Sequence, residues 1–363
     1  MKYSLIIPVY NRPDEVDELL ASLEVQTLND FEVVVVEDGS TIPCLNVVNV
    51  HASRLALRYY QKENSGPGQS RNYGAERSQG EYLIVLDSDC VLPPGYLQAV
   101  DDELTRKPCD AFGGPDRAHE SFSPVQKAIN YSMTSFFTTG GIRGGKKKLD
   151  KFYPRSFNMG IKAELYQRLG GFSAMRFGED IDFSIRIFKS GASCRLFPEA
   201  WVWHKRRTDM KKFFKQVHNS GIARINLMKR HPGSMKLVHM LPAVFTIGVL
   251  CLALLFVSGF ALTVANIYGI FTKSVHDASM YSVGVYLGTV TMLCALTPLL
   301  LYSLLIFVDS LFQNKSCKVA WLSIRASFIQ LLGYGTGFIR AWWLRCVCGR
   351  NEELQAFKNN FYQ

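Results

Sequence analysis

The chain has 363 residues, nine of them Cys, and a formal net charge of +10 at neutral pH. That length exceeds what a single core comfortably holds, so an α/β domain with an appendage is expected. The charge does not point to nucleic acid, because residues 205–236 hold ten Lys or Arg against one acid, Asp209, directly before the first long apolar run. Cations at that place match anionic lipid headgroups on the cytosolic side of a membrane, and no nucleic-acid-binding module accompanies them.

The odd number of cysteines, with Cys194, Cys251 and Cys294 in or beside apolar elements, reads as reduced, buried thiols. Cys346 and Cys348 lack a second Cys or His pair nearby, which excludes a zinc site there. The N-terminus enters a strand without the basic stretch and apolar core of a signal peptide, so the first domain is expected in the cytosol.

Residues 4–9 form a short apolar strand, and Asn11 to Pro13 supply a cap and an early proline for a helix with Val16, Leu19, Leu20 and Leu23 on one face. Residues 31–37 are a continuous apolar strand closed by Asp38-Gly39-Ser40, and residues 55–61 are another. Gly66-Pro67-Gly68 opens a helix through Ser78, and the strand at 81–86 stops at Asp87-Ser88-Asp89. Repeated β-α-β units with strands apolar on both faces predict a mostly parallel sheet covered by helices. Ligands of such sheets lie at the carboxyl ends of the strands, so Tyr10-Asn11, Glu37-Asp38 and Asp87-Ser88-Asp89 are expected to converge. Two carboxylates spaced i, i+2 at a strand end offer hard oxygen ligands to Mg²⁺ or Mn²⁺ and to the diphosphate it bridges. A turn with two exposed Asp is the plainer alternative.

Farther along, residues 139–148, rich in Gly and Lys, read as a mobile loop over a site or as a solvated surface loop. Residues 241–265 and 281–308 carry no charge and exceed the roughly 20 residues a bilayer crossing needs. A third apolar stretch, 319–344, contains Arg325, Gln330 and Arg340 and is expected to span or to lie in the interface. Two spans return the chain to the cytosol and leave Lys315, Lys318, Arg345, Arg350 and Lys358 inside. The expected division is 1–207 catalytic, 208–236 a basic amphipathic interface helix beginning near Phe213, 237–345 the membrane region and 346–363 a cytosolic tail.

Five motifs in order, Ser4-Leu-Ile-Ile-Pro-Val-Tyr-Asn11, Val35-Val-Glu-Asp-Gly-Ser40, Gly66-Pro-Gly-Gln-Ser-Arg-Asn72, Leu86-Asp-Ser-Asp89 and Gly178-Glu-Asp180, resemble those of family 2 glycosyltransferases. The resemblance covers roughly residues 1–207. It implies the GT-A fold, a Rossmann-like mixed α/β sheet of nucleotide-diphospho-sugar transferases, followed here by an α-helical membrane region. It also implies that Pro8, Tyr10 and Asn11 pack on the nucleotide base and that Glu37 or Asp38 reaches base or ribose. Glu37 departs from the two Asp more usual at that place. Arg71 and Ser88 fall to the donor side, Asp87 to ribose and metal, and Asp89 to the metal, with His204 as a further metal ligand.

By the same resemblance Asp180, beside Glu179, is the general base for a single inverting displacement. Without the resemblance, Glu179 and Asp180 at a helix start read first as caps of that helix. Asn158, Met159, Gly160 and Trp203 are expected on the acceptor or sugar side. The Gln-X-X-Arg-Trp segment of processive synthases is missing, since Gln216 is followed by Val-His-Asn and Arg224 lies eight residues on. The implied activity is metal-dependent transfer from a nucleotide sugar, UDP-linked as first choice, to a lipid-linked or membrane-proximal glycan, in cell-surface polysaccharide or glycolipid synthesis. The expected setting is the cytoplasmic membrane, multi-pass, with the catalytic domain in the cytosol. The alternatives are a polyprenyl-phosphate sugar synthase and a non-catalytic membrane scaffold.

Overall fold

The computed structural model describes residues 1–119, 121–140, 153–272 and 278–354. Most of the Gly- and Lys-rich stretch and the tail beyond 354 therefore lie outside the described residues. The first half alternates β1 (Tyr3–Val9), α1 (Pro13–Glu24), β2 (Phe31–Asp38), α2 (Leu45–His51), β3 (Leu57–Lys62), α3 (Pro67–Ala75) and β4 (Tyr82–Leu86). Then come β5 (Cys90–Val91), α4 (Tyr96–Arg106), β6 (Ala111–Gly113), β7 (Asp116–Arg117), α5 (Pro124–Thr134), α6 (Phe136–Thr139), β8 (Asn158–Lys162), α7 (Ala163–Arg168), α8 (Glu179–Lys189), β9 (Cys194–Leu196) and β10 (Val202–His204).

Seven strands form one mixed sheet in the order β3-β2-β1-β4-β8-β6-β9, and β5, β10 and β7 form a small second sheet. Parallel β1, β2 and β4 put the ends of three strands on one edge, while β8 enters antiparallel to β4 and β6. Both faces are apolar because successive β1 residues point to opposite sides. Leu5, Ile7 and Val9 pack with Val33, Val35 and Ile84 beneath α1 and α4. Ile6 packs with Val85, Met159, Phe172 and Phe183 on the other side. The stripe of α1, Val16, Leu19, Leu20 and Leu23, is buried, each side chain contributing about 1.5–3 kcal/mol by leaving water.

The C-terminal region is helical: α9 (Met210–Arg230), α10 (Leu241–Thr272), α11 (Ala278–Asn314) and α12 (Cys317–Trp342). α10 and α11 are long and apolar enough to cross a membrane, with mean hydropathies of 2.5 and 2.2 in their most apolar stretches. They turn Leu250, Leu254, Phe260, Leu300, Leu301 and Leu304 outward, an apolar surface that water does not favour. Cys251 and Cys294 share those outward faces, so the expectation of buried thiols holds for Cys44, Cys90 and Cys109 but not for these two.

The structure also corrects the expectation that the apolar face of α9 rests on headgroups. Phe213 and Val217 are buried with Val319 and Ala326 of α12 and Ala128 and Ile129 of α5. Glycines make this docking close: a Cβ on Gly337 would lie 2.0 Å from the His218 carbonyl oxygen, and one on Gly221 would lie 2.1 Å from that of Tyr334. The third apolar segment is therefore a helix packed between α9 and the two long helices, with Gly333, Gly335 and Gly337 buried.

Candidate active site

A two-residue ladder builds the center of the site. β10 pairs antiparallel with β5 so that His204 stands opposite Cys90, and the Lys205 N–H donates to the Asp89 carbonyl at 3.1 Å. His204 Nε2 thereby comes to 3.2 Å from Asp89 Oδ1 and 3.9 Å from Asp87 Oδ2. Asp89 Oδ1 is buried and, among the described residues, meets only the His204 imidazole, without a well-directed hydrogen bond, which leaves room for a cation to complete it. Burial alone pushes the Asp89 carboxyl up, but His204, Arg12 and Arg207 outweigh burial and hold it well below the usual carboxylate range.

Asp89, Cys90 and His204 bring their ligand atoms within 4.8 Å of one another. Burial, Asp89 and Asp87 push the Cys90 thiol up, so it stays protonated; its Sγ donates to the Phe157 carbonyl at 3.5 Å. The Asp89 carboxylate and the His204 imidazole remain, with Asp87 Oδ2 3.9 Å from His204 Nε2, and oxygen and imidazole donors of this kind suit Mn²⁺ or Mg²⁺. His204 Nδ1 is buried without a partner, and the ring is held instead by stacking on Phe157 at 4.9 Å.

Arg71 joins this center to the carboxylates of α8. Its Nη2 donates to Asp87 Oδ1 at 2.7 Å and its Nη1 to Glu179 Oε1 at 3.1 Å. Its side chain is only 4% exposed and lies over the Phe172 ring at 5.1 Å. Gly178, at φ 85°, turns the chain into α8 against Ala223 and Leu227 of α9. Asp180 Oδ2 accepts from Arg155 Nε at 2.6 Å, and Asp180 Oδ1 accepts from the Ile181 N–H at 2.8 Å. Burial opposes charge on both α8 carboxylates. For Asp180 the cations Arg155 and Arg71 win and its carboxyl lies below the usual range, whereas burial and the neighboring Asp180 push Glu179 up to about 7. One turn on, Asp182 anchors the helix through Ser173, Arg186 and His231.

Other expected residues serve the loops around the center. Asn11, at φ 53°, accepts through Oδ1 from the Thr41 and Ile42 N–H groups and so joins the first two strand-end loops beside Pro8 and Tyr10. Glu37 is fully buried, and its carboxylate accepts from Ser40, Tyr59 and the Cys44 N–H. Asp38 accepts from Lys62 and from the Ser65 and Gly66 N–H groups, which sets the start of α3 and hence Arg71. Ser88 is buried between the two acids.

Asn158, Met159 and Gly160 are buried within the domain. Asn158 is 1% exposed and is bonded to the Tyr96 hydroxyl and the Ala200 carbonyl. Met159 is core, and Gly160 lies under the Phe112 ring. Trp203 stays partly exposed, between Trp201 at 4.7 Å and His119 at 5.1 Å. Two residues at the center gave no chemical signal in sequence. Arg12 Nη1 donates to Asp89 Oδ2 at 2.6 Å, and Arg155 holds Asp180. Arg12 was detectable only as a cation at the start of a helix, where Ser, Thr, Asp or Asn is favored.

A mixed sheet with acids at adjacent strand ends, joined through an arginine to a carboxylate pair on a helix, defines a GT-A type nucleotide-sugar transferase domain. Residues 4–170, a little under half of the chain, match the family model described as glycosyl transferase family 2.

It is 40% identical over 228 residues to validoxylamine A glucosyltransferase of Streptomyces hygroscopicus subsp. jinggangensis, covering 54% of each chain. It is 39% identical over 137 residues to an uncharacterized glycosyltransferase of Rickettsia felis, covering 38% of this chain and 22% of that one. The chain thus spans less than two thirds of the length of these curated relatives. Among solved structures, mannosyltransferase PcManGT from Pyrobaculum calidifontis, in complex with GDP-Man and Mn²⁺, shares the fold. Its TM-score is 0.55 at 15% identity, over 95% of this chain and 88% of that one.

Proposed function

We propose that the chain is an inverting, divalent-metal-dependent glycosyltransferase. It would move a sugar from a nucleotide sugar, with UDP as the first base to test, to a lipid-linked or membrane-proximal glycan at the cytosolic face of a membrane. The observation that carries this reading is the chain of contacts from Asp89 through His204, Asp87 and Arg71 to Glu179, the sequence neighbor of Asp180. Asp87, Asp89 and His204 would hold Mg²⁺ or Mn²⁺, which when bound offsets the charge of the departing diphosphate. Asp38 and Asn11 shape the pocket for the base by fixing its loops. Arg71 keeps Asp87 and Glu179 apart and charge-balanced. Asp180, ionized and aimed by Arg155, takes the proton of an acceptor hydroxyl, and Trp203 offers an aromatic edge to the acceptor. The two long apolar helices support membrane attachment.

The test is a panel of UDP-, GDP- and dTDP-sugars with Mn²⁺. One donor should release free nucleotide, EDTA should stop it, and no release from any donor would leave the scaffold reading. The Arg155–Asp180 pair also keeps a phosphate acceptor in view, because an arginine next to the base suits phosphate as well. An Asp180→Asn variant that keeps nearly full transfer would favor that polyprenyl-phosphate route, where no base is needed.

A further inference from the structure

Arg12 stands at the N-cap of α1, where its side chain makes no capping hydrogen bond. A cation there also faces the like-signed end of the helix dipole. A residue that fails its local rule twice in one place points to a demand from the site. That demand is visible, because Arg12 Nη1 lies 2.6 Å from Asp89 Oδ2 while His204 takes the side of Oδ1, and Asp89 is the acid best placed for a metal. Partial burial works against the Arg12 charge, and Asp89, with Glu15 and Asp87 behind it, more than restores it.

We propose that Arg12 is the resident counter-ion of Asp89. A divalent ion reaching Asp89 displaces the guanidinium, and the freed side chain turns to the diphosphate of the donor. This rests on the metal-dependent reading above. A carboxylate with a divalent ion on Oδ1 and a guanidinium on Oδ2 brings two cations to close range, and their repulsion loosens the guanidinium. A planar fork released beside a diphosphate finds two acceptor oxygens in its own geometry. Arg12 would then balance the site in both states and keep nucleotide binding coupled to metal binding.

The experiment uses the full chain in detergent, titrated with Mn²⁺ alone and read by the electron paramagnetic resonance signal of the free ion. UDP and GDP are then titrated at saturating Mn²⁺. In Arg12→Gln, Mn²⁺ should bind about tenfold tighter, because a competitor of about one charge-assisted hydrogen bond is gone, and nucleotide about tenfold more weakly. Arg12→Lys, with a shorter point charge, should fall between and serves where the Gln variant folds poorly. Wild-type chain that binds no Mn²⁺ overturns both this inference and the metal reading. Wild-type binding with both affinities unchanged in Arg12→Gln overturns the inference alone, and so does a gain for Mn²⁺ without a loss for nucleotide.

Discussion

Arg71→Met removes the cation between Asp87 and Glu179 while keeping an apolar chain of similar reach over Phe172. Breaking a buried pair by deleting one partner costs about 3–5 kcal/mol. Asp87 is 29% exposed and recovers part of its hydration, so a loss of about 2–4 kcal/mol is expected at about pH 8. For a domain of this size that lowers Tm by about 6–12 °C. The pH dependence carries the finer test. Glu179 is already pushed up to about 7 by burial and Asp180, above its unfolded value near 4.5. A group raised on folding gives stability that is full below the unfolded value and is lost as pH rises through the folded one. Without Arg71 the folded value rises further, so the gap between variant and wild type should fall to about half near about pH 5, where the Asp87 share remains, and be complete by about pH 9. Adding Glu179→Gln should recover about half of the loss at high pH. The assay is thermal unfolding of the full chain in detergent, followed by intrinsic fluorescence. A Tm gap under about 2 °C at pH 8, or one that does not change with pH, would refute the reasoning.

Asp89→Ala should lower Mn²⁺-dependent release of nucleotide by about 10²–10³-fold, since the ion supplies several kcal/mol to the leaving group; an unaffected variant contradicts the metal assignment. Asp180→Asn should cut transfer to a hydroxyl acceptor by about 10²–10⁴-fold and leave nucleotide affinity in place, checked by kinetics beside a binding titration. Gly337→Ala should lose about 1–3 kcal/mol, because its Cβ would meet the His218 carbonyl at 2.0 Å and backbone cannot step aside. Gly248→Ala, with nothing within 4 Å, is the matched control and should leave Tm unchanged or slightly higher.

The core of the domain was legible because its signals are local. Residues 5–9 and 33–36 are apolar at successive positions, as a strand buried on both faces requires, and Asp87 and Asp89 follow directly on another such strand. The stripe of α9 was legible as a stripe, but periodicity says that a face is covered and not by what. The cover is α12, which Arg325, Gln330 and Arg340 left in sequence between a span and an interfacial segment. Asn158 looked polar and available, yet its amide is used to tie β8 to Tyr96 and Ala200, partners distant along the chain. Arg155 has no neighbor in sequence that announces its carboxylate, and it becomes meaningful only when α8 is folded against it.

These contacts link the chemistry to the long helices through a short series of rigid joints. Gly178 admits Ala223 and Leu227 of α9 directly beneath the turn that presents Glu179 and Asp180. Asp182 binds His231 just past the end of the same helix. The opposite side of α9 is locked to α12 by the Gly221 and Gly337 contacts, and a Cβ on Gly335 of α12 would meet the Pro242 carbonyl at 2.3 Å, at the start of α10. The glycine joints bring backbone to close approach, and sliding α9 by one residue would turn its buried stripe by about 100° and break every joint. The carboxylate pair is thus held at a set height above the first residues of α10. Under the proposed function, that geometry favors an acceptor presented at the membrane surface over one diffusing freely, because only the former meets Asp180 at a height the joints already set.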